Sequence, residues 1–155
     1  MVAPASRGVP ARESLWLPPV DSPAIKAKSL DEEVRWSLTD VVEHVFPRAY
    51  QPQYHKIALA LLGQLSQKTA LEAPDLAAFV GGNGFSKATF YNKIIPRLID
   101  VGAVKRERIG QRAMRLTLSK SFGNYLQKIG REWNSIVETA RRRQPEPAQP
   151  TAPAP

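Results

Sequence analysis

Residues 85–118 read FSKATFYNKIIPRLIDVGAVKRERIGQRAMRLTL, and the order of signals in this stretch decides the fold. Ser86 is a favourable helix N-cap, because its hydroxyl can accept from the unpaired N–H groups of a first turn. Phe90, Ile94, Leu98 and Val101 then recur at the spacing of one helix face. Gly102 stands where a helix end favours positive φ. Two β-like runs, Ala103–Ile109 and Arg112–Leu118, flank Gly110-Gln111. A two-residue turn would place Met114 and Leu116 on the face of Lys105 and Glu107. A three-residue loop over 110–112 pairs Val104 with Leu118, Arg106 with Leu116 and Arg108 with Met114. That register gathers Val104, Met114, Leu116 and Leu118 on one side, and it is the one expected. Pro96 removes a backbone donor inside the helix and frees the carbonyl of Asn92, so a kink or a π-bulge is expected there.

Upstream, two helices and a corner are expected. Ser29-Leu30-Asp31-Glu32 forms a capping-box pattern. It opens a helix with an apolar stripe at Val34, Leu38, Val41, Val42 and Val45, and Pro47 stops it. A second helix spans about 53–66, burying Ile57, Ala58, Leu61, Leu62 and Leu65. Residues 68–72 read as a polar connection. Ala73-Pro74-Asp75 opens a third helix with Leu76, Phe79 and Val80 inward, since proline is tolerated in a first turn. Gly81-Gly82-Asn83-Gly84 reads as a tight turn. It lacks the order of a phosphate-binding loop and follows a helix rather than a strand.

Downstream, Ser119 caps a helix running from Lys120 to about Arg143. Phe122, Tyr125, Leu126, Ile129, Trp133 and Ile136 belong to its apolar stripe, which extends through Val137 and Ala140. At ~1.5 Å per residue it is some 35 Å long, more than a small domain covers. Two covers are open: the helix expected over 29–46, or a dimer interface formed by both terminal helices, to which this one brings Tyr125, Ile129, Trp133, Ile136 and Ala140.

Composition bounds the function. The 155 residues carry 14 prolines, mostly near the ends, and no cysteine. Residues 1–28 read as a disordered proline-rich arm in which Trp16 and Leu17 are candidates for docking on the domain. Residues 144–155 read as a disordered Pro/Ala tail. The domain is expected over 29–143. No apolar run approaches the ~20 residues of a membrane span, and the N-terminus does not look like a signal peptide. The protein is therefore expected in the cytoplasm, associated with the nucleoid and without a membrane partner. The net charge is +8, and its distribution says more than its size. Residues 81–143 hold fourteen Lys/Arg against four Asp/Glu, whereas 29–80 hold four against seven. Such polarity points to a polyanionic partner. His44 and His55, the two histidines, belong to no ligand-spaced cluster, so neither a metal nor a cofactor is expected. No nucleophile motif or His/carboxylate pair suggests an enzyme.

The Ser86–Tyr91 opening, Leu98, the Val101-Gly102-Ala103-Val104 stop, the hairpin and Leu116-Thr117-Leu118 together resemble the winged helix-turn-helix family, including the MarR and PadR groups of transcription regulators. The resemblance covers roughly residues 54–120. In those groups one fewer residue usually separates the serine cap from the glycine, and proline is seldom found inside the helix. The resemblance implies a mainly α fold with a small β-hairpin wing, flanked by extra N- and C-terminal helices. It further implies a sequence-specific double-stranded DNA-binding protein, a transcription regulator acting as a homodimer. Lys87, Thr89, Tyr91, Asn92 and Lys93 are then candidates for the groove, with Tyr91 alternatively packing in the core. Arg106, Arg108, Gln111 and Arg112 are candidates for the DNA backbone. A winged-helix protein-interaction adaptor and an architectural, replication or partition DNA-binding protein are the alternatives, because a fold does not fix a function.

Overall fold

The computed structural model describes residues 15–28, 33–111 and 113–143. In chain order the elements are α1 (Pro23–Lys28), α2 (Leu38–Val42), α3 (Pro52–Lys68), β1 (Ala70–Glu72), α4 (Ala73–Asn83), α5 (Lys87–Thr89), a π turn (Phe90–Ile94), α6 (Ile95–Asp100), β2 (Val104–Ile109), β3 (Ala113–Leu118) and α7 (Ser121–Arg143). The fold is mostly helical with one three-stranded antiparallel sheet in the order β1-β3-β2. Where one domain over 29–143 is expected from sequence, the chain divides after Lys120 into two compact units.

In the first unit, α3 supplies one wall of the core. Pro52 sits in its first turn, where no intrahelical N–H is required. Ile57, Ala58, Leu61, Leu62 and Leu65 are all buried, as their spacing predicts. Phe79 and Val80 of α4 and Phe90, Ile94, Ile95 and Leu98 of the 87–100 helix pack into the same core, with Leu71, Val104 and Leu116 from the sheet. His55 is also buried, and its Nδ1–H donates to the carbonyl of Phe46 at 2.9 Å.

The hairpin adopts the expected register, with Val104 opposite Leu118, Arg106 opposite Leu116 and Arg108 opposite Met114. Gly110 takes φ 90° at the tip and Gly102 takes φ 83° at the helix stop. After that stop the Ala103 N–H donates to the Leu98 carbonyl at 2.9 Å.

Four expectations are corrected. Of the helix expected over 29–46, the described part from residue 33 is helical only at Leu38–Val42, and its cap is Ser37. Asp40 accepts from the Ser37 N–H at 2.8 Å while its own N–H donates to Ser37 Oγ at 3.3 Å. This second capping box starts the helix late and leaves Val34 exposed; the Ser29–Glu32 box lies outside the described residues. Residues 70–72, expected as a polar connection, form β1, whose Leu71 pairs with Leu116. Gly81, Gly82 and Asn83 belong to α4, and the turn is confined to Gly84 at φ 65°. Finally, the arm is folded from residue 15 onward. Trp16 donates its backbone N–H to the His44 carbonyl at 2.8 Å, its ring meets Tyr50 edge-on at 5.1 Å, and Ile25 of α1 is buried. Of the two docking candidates Trp16 docks, whereas Leu17 is 73% exposed. Residues 1–14 and the tail from 144 lie outside the described residues.

The second unit contains α7, which starts at Ser121 rather than Lys120 and has no buried residue. With α2 reduced to five residues, the long N-terminal helix expected either to cover this stripe or to join it in a dimer interface is not formed over the described residues. Among the described residues no helix is long and apolar enough to cross a membrane.

The two glycine environments predict opposite effects of added side chains. Gly102→Ala should cost about 1–2 kcal/mol, because a Cβ is disfavoured at positive φ. Gly82→Ala, in a helix with nothing within 4 Å of the new Cβ, should instead gain about 0.5 kcal/mol. Urea unfolding midpoints of the two variants check the sign of each.

Candidate nucleic-acid interface

Ser86 caps the 87–100 helix by accepting from the Thr89 N–H at 3.3 Å. One turn later the hydrogen-bond ladder slips. The Ile95 N–H donates to the carbonyl of Phe90, five residues back rather than four, as the π-bulge expectation required. Pro96 follows immediately in the first turn of α6. The slip puts Ile94 and Ile95 into the core side by side while leaving Asn92 and Lys93 exposed. Phe90 anchors the turn, with its ring 5.5 Å from Phe79 and 5.0 Å from Tyr91.

Of the five candidates on this helix, Lys87, Asn92 and Lys93 are exposed, while Thr89 and Tyr91 are half-buried. Tyr91 meets Phe90 edge-on at an interplanar angle of 85°. It also lines a shallow apolar groove with Leu76, Ile95, Arg106, Met114 and Leu116. That groove joins the helix to the hairpin. Tyr91 is therefore partly a packing residue and partly a wall between the two basic elements.

Strand alternation sorts the hairpin charges onto two faces. Arg106 and Arg108 share a face with buried Val104 and lie toward the tip, and both are exposed. Gln111 is exposed at the tip, and Arg112 lies outside the described residues. The other face carries Lys105, Glu107 and Arg115. Glu107 makes ion pairs with Lys105 at 3.1 Å and with Arg115, its cross-strand partner, at 2.9 Å. These hydrogen bonds, Lys105 first and Arg115 second, hold the Glu107 carboxyl below its ordinary value. Neither Glu107 nor Arg115 was a candidate from sequence. Their direct opposition follows from the expected register, so the signal was present in it.

The structure thus thins the basic half. Arg97 is buried at 3% exposure, Lys105 and Arg115 are engaged by Glu107, and Lys128 is paired with Glu132 at 2.6 Å. Lys87, Lys93, Arg106 and Arg108 are exposed and hold no ion pair among the described residues. Together with Asn92 they form the polar surface on the helix and the hairpin.

No protein-family model, curated protein or solved structure matches the chain.

The Glu107 cluster predicts a pH signature. A carboxyl lowered in the folded state contributes stability above its unfolded pKa and loses it as pH falls through the lower, folded value. The Glu107 side-chain carbon should therefore titrate below 4.5 in a ¹³C NMR titration. Lys105→Ala combined with Arg115→Ala should move the midpoint back up. An unchanged midpoint in the double variant would show that the two cations are not its cause.

Proposed function

We propose that this chain binds duplex DNA as a winged helix-turn-helix protein and acts as a homodimeric transcription regulator. In this reading α3, α4 and the 87–100 helix form the three-helix body, and the β2–β3 hairpin is the wing. The observation that carries the reading is the set of exposed cations, without an ion pair among the described residues, on two adjoining elements. Lys87 and Lys93 lie on the helix beside Asn92, and Arg106 and Arg108 lie on one face of the hairpin. A helix fits a major groove about 12 Å wide, and a basic hairpin beside it suits the phosphate backbone. The resemblance drawn from the Ser86 cap, the Gly102 stop and the hairpin supports the same reading.

The elements divide the work. Asn92 offers an amide able to make two hydrogen bonds to one adenine edge, so it is assigned base reading with Lys93 and Tyr91 as neighbours. Lys87 and Thr89, in the first turn, are assigned to the phosphate at the groove rim. Arg106, Arg108 and Arg112 neutralise phosphate, Gln111 donates an amide hydrogen bond to it, and all four carry little sequence information. Glu107 holds Lys105 and Arg115 in reserve on the opposite face of the wing.

The test uses a site obtained by random-oligonucleotide selection, a random duplex and two salt concentrations. Log affinity for both duplexes should fall linearly with log salt. Arg108→Ala should weaken both and reduce the slope by about one unit. Asn92→Ala should cost roughly 1–3 kcal/mol on the selected site and little on the random duplex. Equal losses from both variants on both duplexes would replace base reading by non-specific, architectural binding. The absence of any salt-dependent binding would end the nucleic-acid reading.

A further inference from the structure

The apolar stripe of α7 has a regular period. Phe122, Leu126, Ile129, Trp133, Ile136 and Ala140 are separated by four, three, four, three and four residues. That alternation is the seam of a two-stranded coiled coil. The seam is open: Ile129 is 51% exposed, Trp133 61% and Ile136 60%. Its flank carries Glu132 ion-paired with Lys128 one turn away.

We infer that the seam is closed by α7 of a second copy, running antiparallel, in the register that sets Trp133 of each copy against Ile129 of the other. The inference supplies the geometry of the homodimer and rests on the DNA-binding reading only for its use. Side-chain size argues for it. In this register Phe122 meets Ala140 and Leu126 meets Ile136, so every layer pairs residues that differ in size or branching. A parallel pair in register would stack Trp133 on Trp133 in one layer and leave Ala140 facing Ala140 in another, overfilled and underfilled in turn. Gly130, next to the central layer, has nothing within 4 Å of where a Cβ would stand. It leaves room beside the facing indole.

Charge argues the same way. Arg141, Arg142 and Arg143 end the helix. A parallel pair gathers six guanidinium groups at one end, whereas an antiparallel pair holds the two clusters about 30 Å apart, well beyond the ~8–10 Å screening length. The area suffices as well. Tyr125, Leu126, Ile129, Trp133 and Ile136 are all exposed on each copy, and with aromatic side chains burying up to about 150–250 Å² each, two copies offer apolar surface on the scale of the roughly 1,200 Å² of a specific interface. A lipid surface needs an apolar face but no four-three alternation and no matching of sizes.

The chain has no cysteine, so introduced thiols report without background. Phe122→Cys and Ala140→Cys proteins, tagged to differ in mass, are mixed and oxidised without DNA. Tyr125→Cys and Thr139→Cys, on the flank, form a second pair that leaves the seam intact. The wild type should sediment as a dimer at tens of micromolar, and the mixed disulfide should predominate in both pairs. Trp133→Glu with Ile136→Glu should give a monomer that keeps the near-ultraviolet signal of the first unit. A monomeric wild type, self-disulfides predominating over mixed ones, or flotation of a monomer with anionic phosphatidylserine vesicles would each overturn the antiparallel pair. None of these results touches the salt dependence measured with Arg108→Ala, so failure here is distinct from failure of the DNA-binding reading.

Discussion

Pro96 has no N–H to give, and the arrangement around the 87–100 helix follows from that. An unbroken α-ladder would need a donor at 96 for the Asn92 carbonyl. The chain instead takes one wide turn, in which Ile95 donates to Phe90 five residues back. The wide turn admits an extra residue without displacing either end, so Ser86 still caps and Gly102 still stops. Both Ile94 and Ile95 reach the core, at 0% and 2% exposure. Asn92 and Lys93 occupy the outer side of the same turn. Core packing and the exposed polar edge are therefore set by one missing hydrogen atom.

Much of this was legible because the determining signals are local. A serine followed by an amphipathic run, a glycine at a helix end and an alternating hairpin each act within a few residues. The register over 104–118 could be read because only one pairing collects the apolar residues on one face. The failures have physical causes of their own. Two capping-box patterns stand eight residues apart in the sequence, and the later one, Ser37 with Asp40, is the one that caps a helix among the described residues. The strand at 70–72 has no periodicity in three residues; it is a strand because Leu71 finds Leu116. Gly81 and Gly82 cost helix stability but do not forbid it, and α4 runs through them to the one glycine that needs positive φ. The charge count could not see that Arg97 is buried, because burial of a guanidinium is decided by tertiary neighbours.

The electrostatics of the hairpin are subtler than a net charge. Its two faces carry different balances: Arg106 and Arg108 are unopposed, while Lys105 and Arg115 share Glu107. Exposed pairs of this kind contribute little to stability. Their effect is on charge balance: Glu107 offsets one of the two cations on its own face, Lys105 and Arg115, whereas nothing among the described residues on the strand face of Arg106 and Arg108 offsets either. In α7, too, Lys128 is engaged by Glu132 on the flank of the apolar stripe.

The order β1-β3-β2 also has a consequence for synthesis. Leu71 emerges 45 residues before its partner Leu116. At 5–20 residues per second, that interval is about 2–9 s. During it, α3 and α4 can form, but the central strand of the sheet does not yet exist. The nascent chain therefore carries an open strand edge and an uncovered leucine until nearly the end of the first unit has been made. A chain interrupted before residue 113 would keep both exposed indefinitely, and quality-control proteases would meet it as an unfolded substrate.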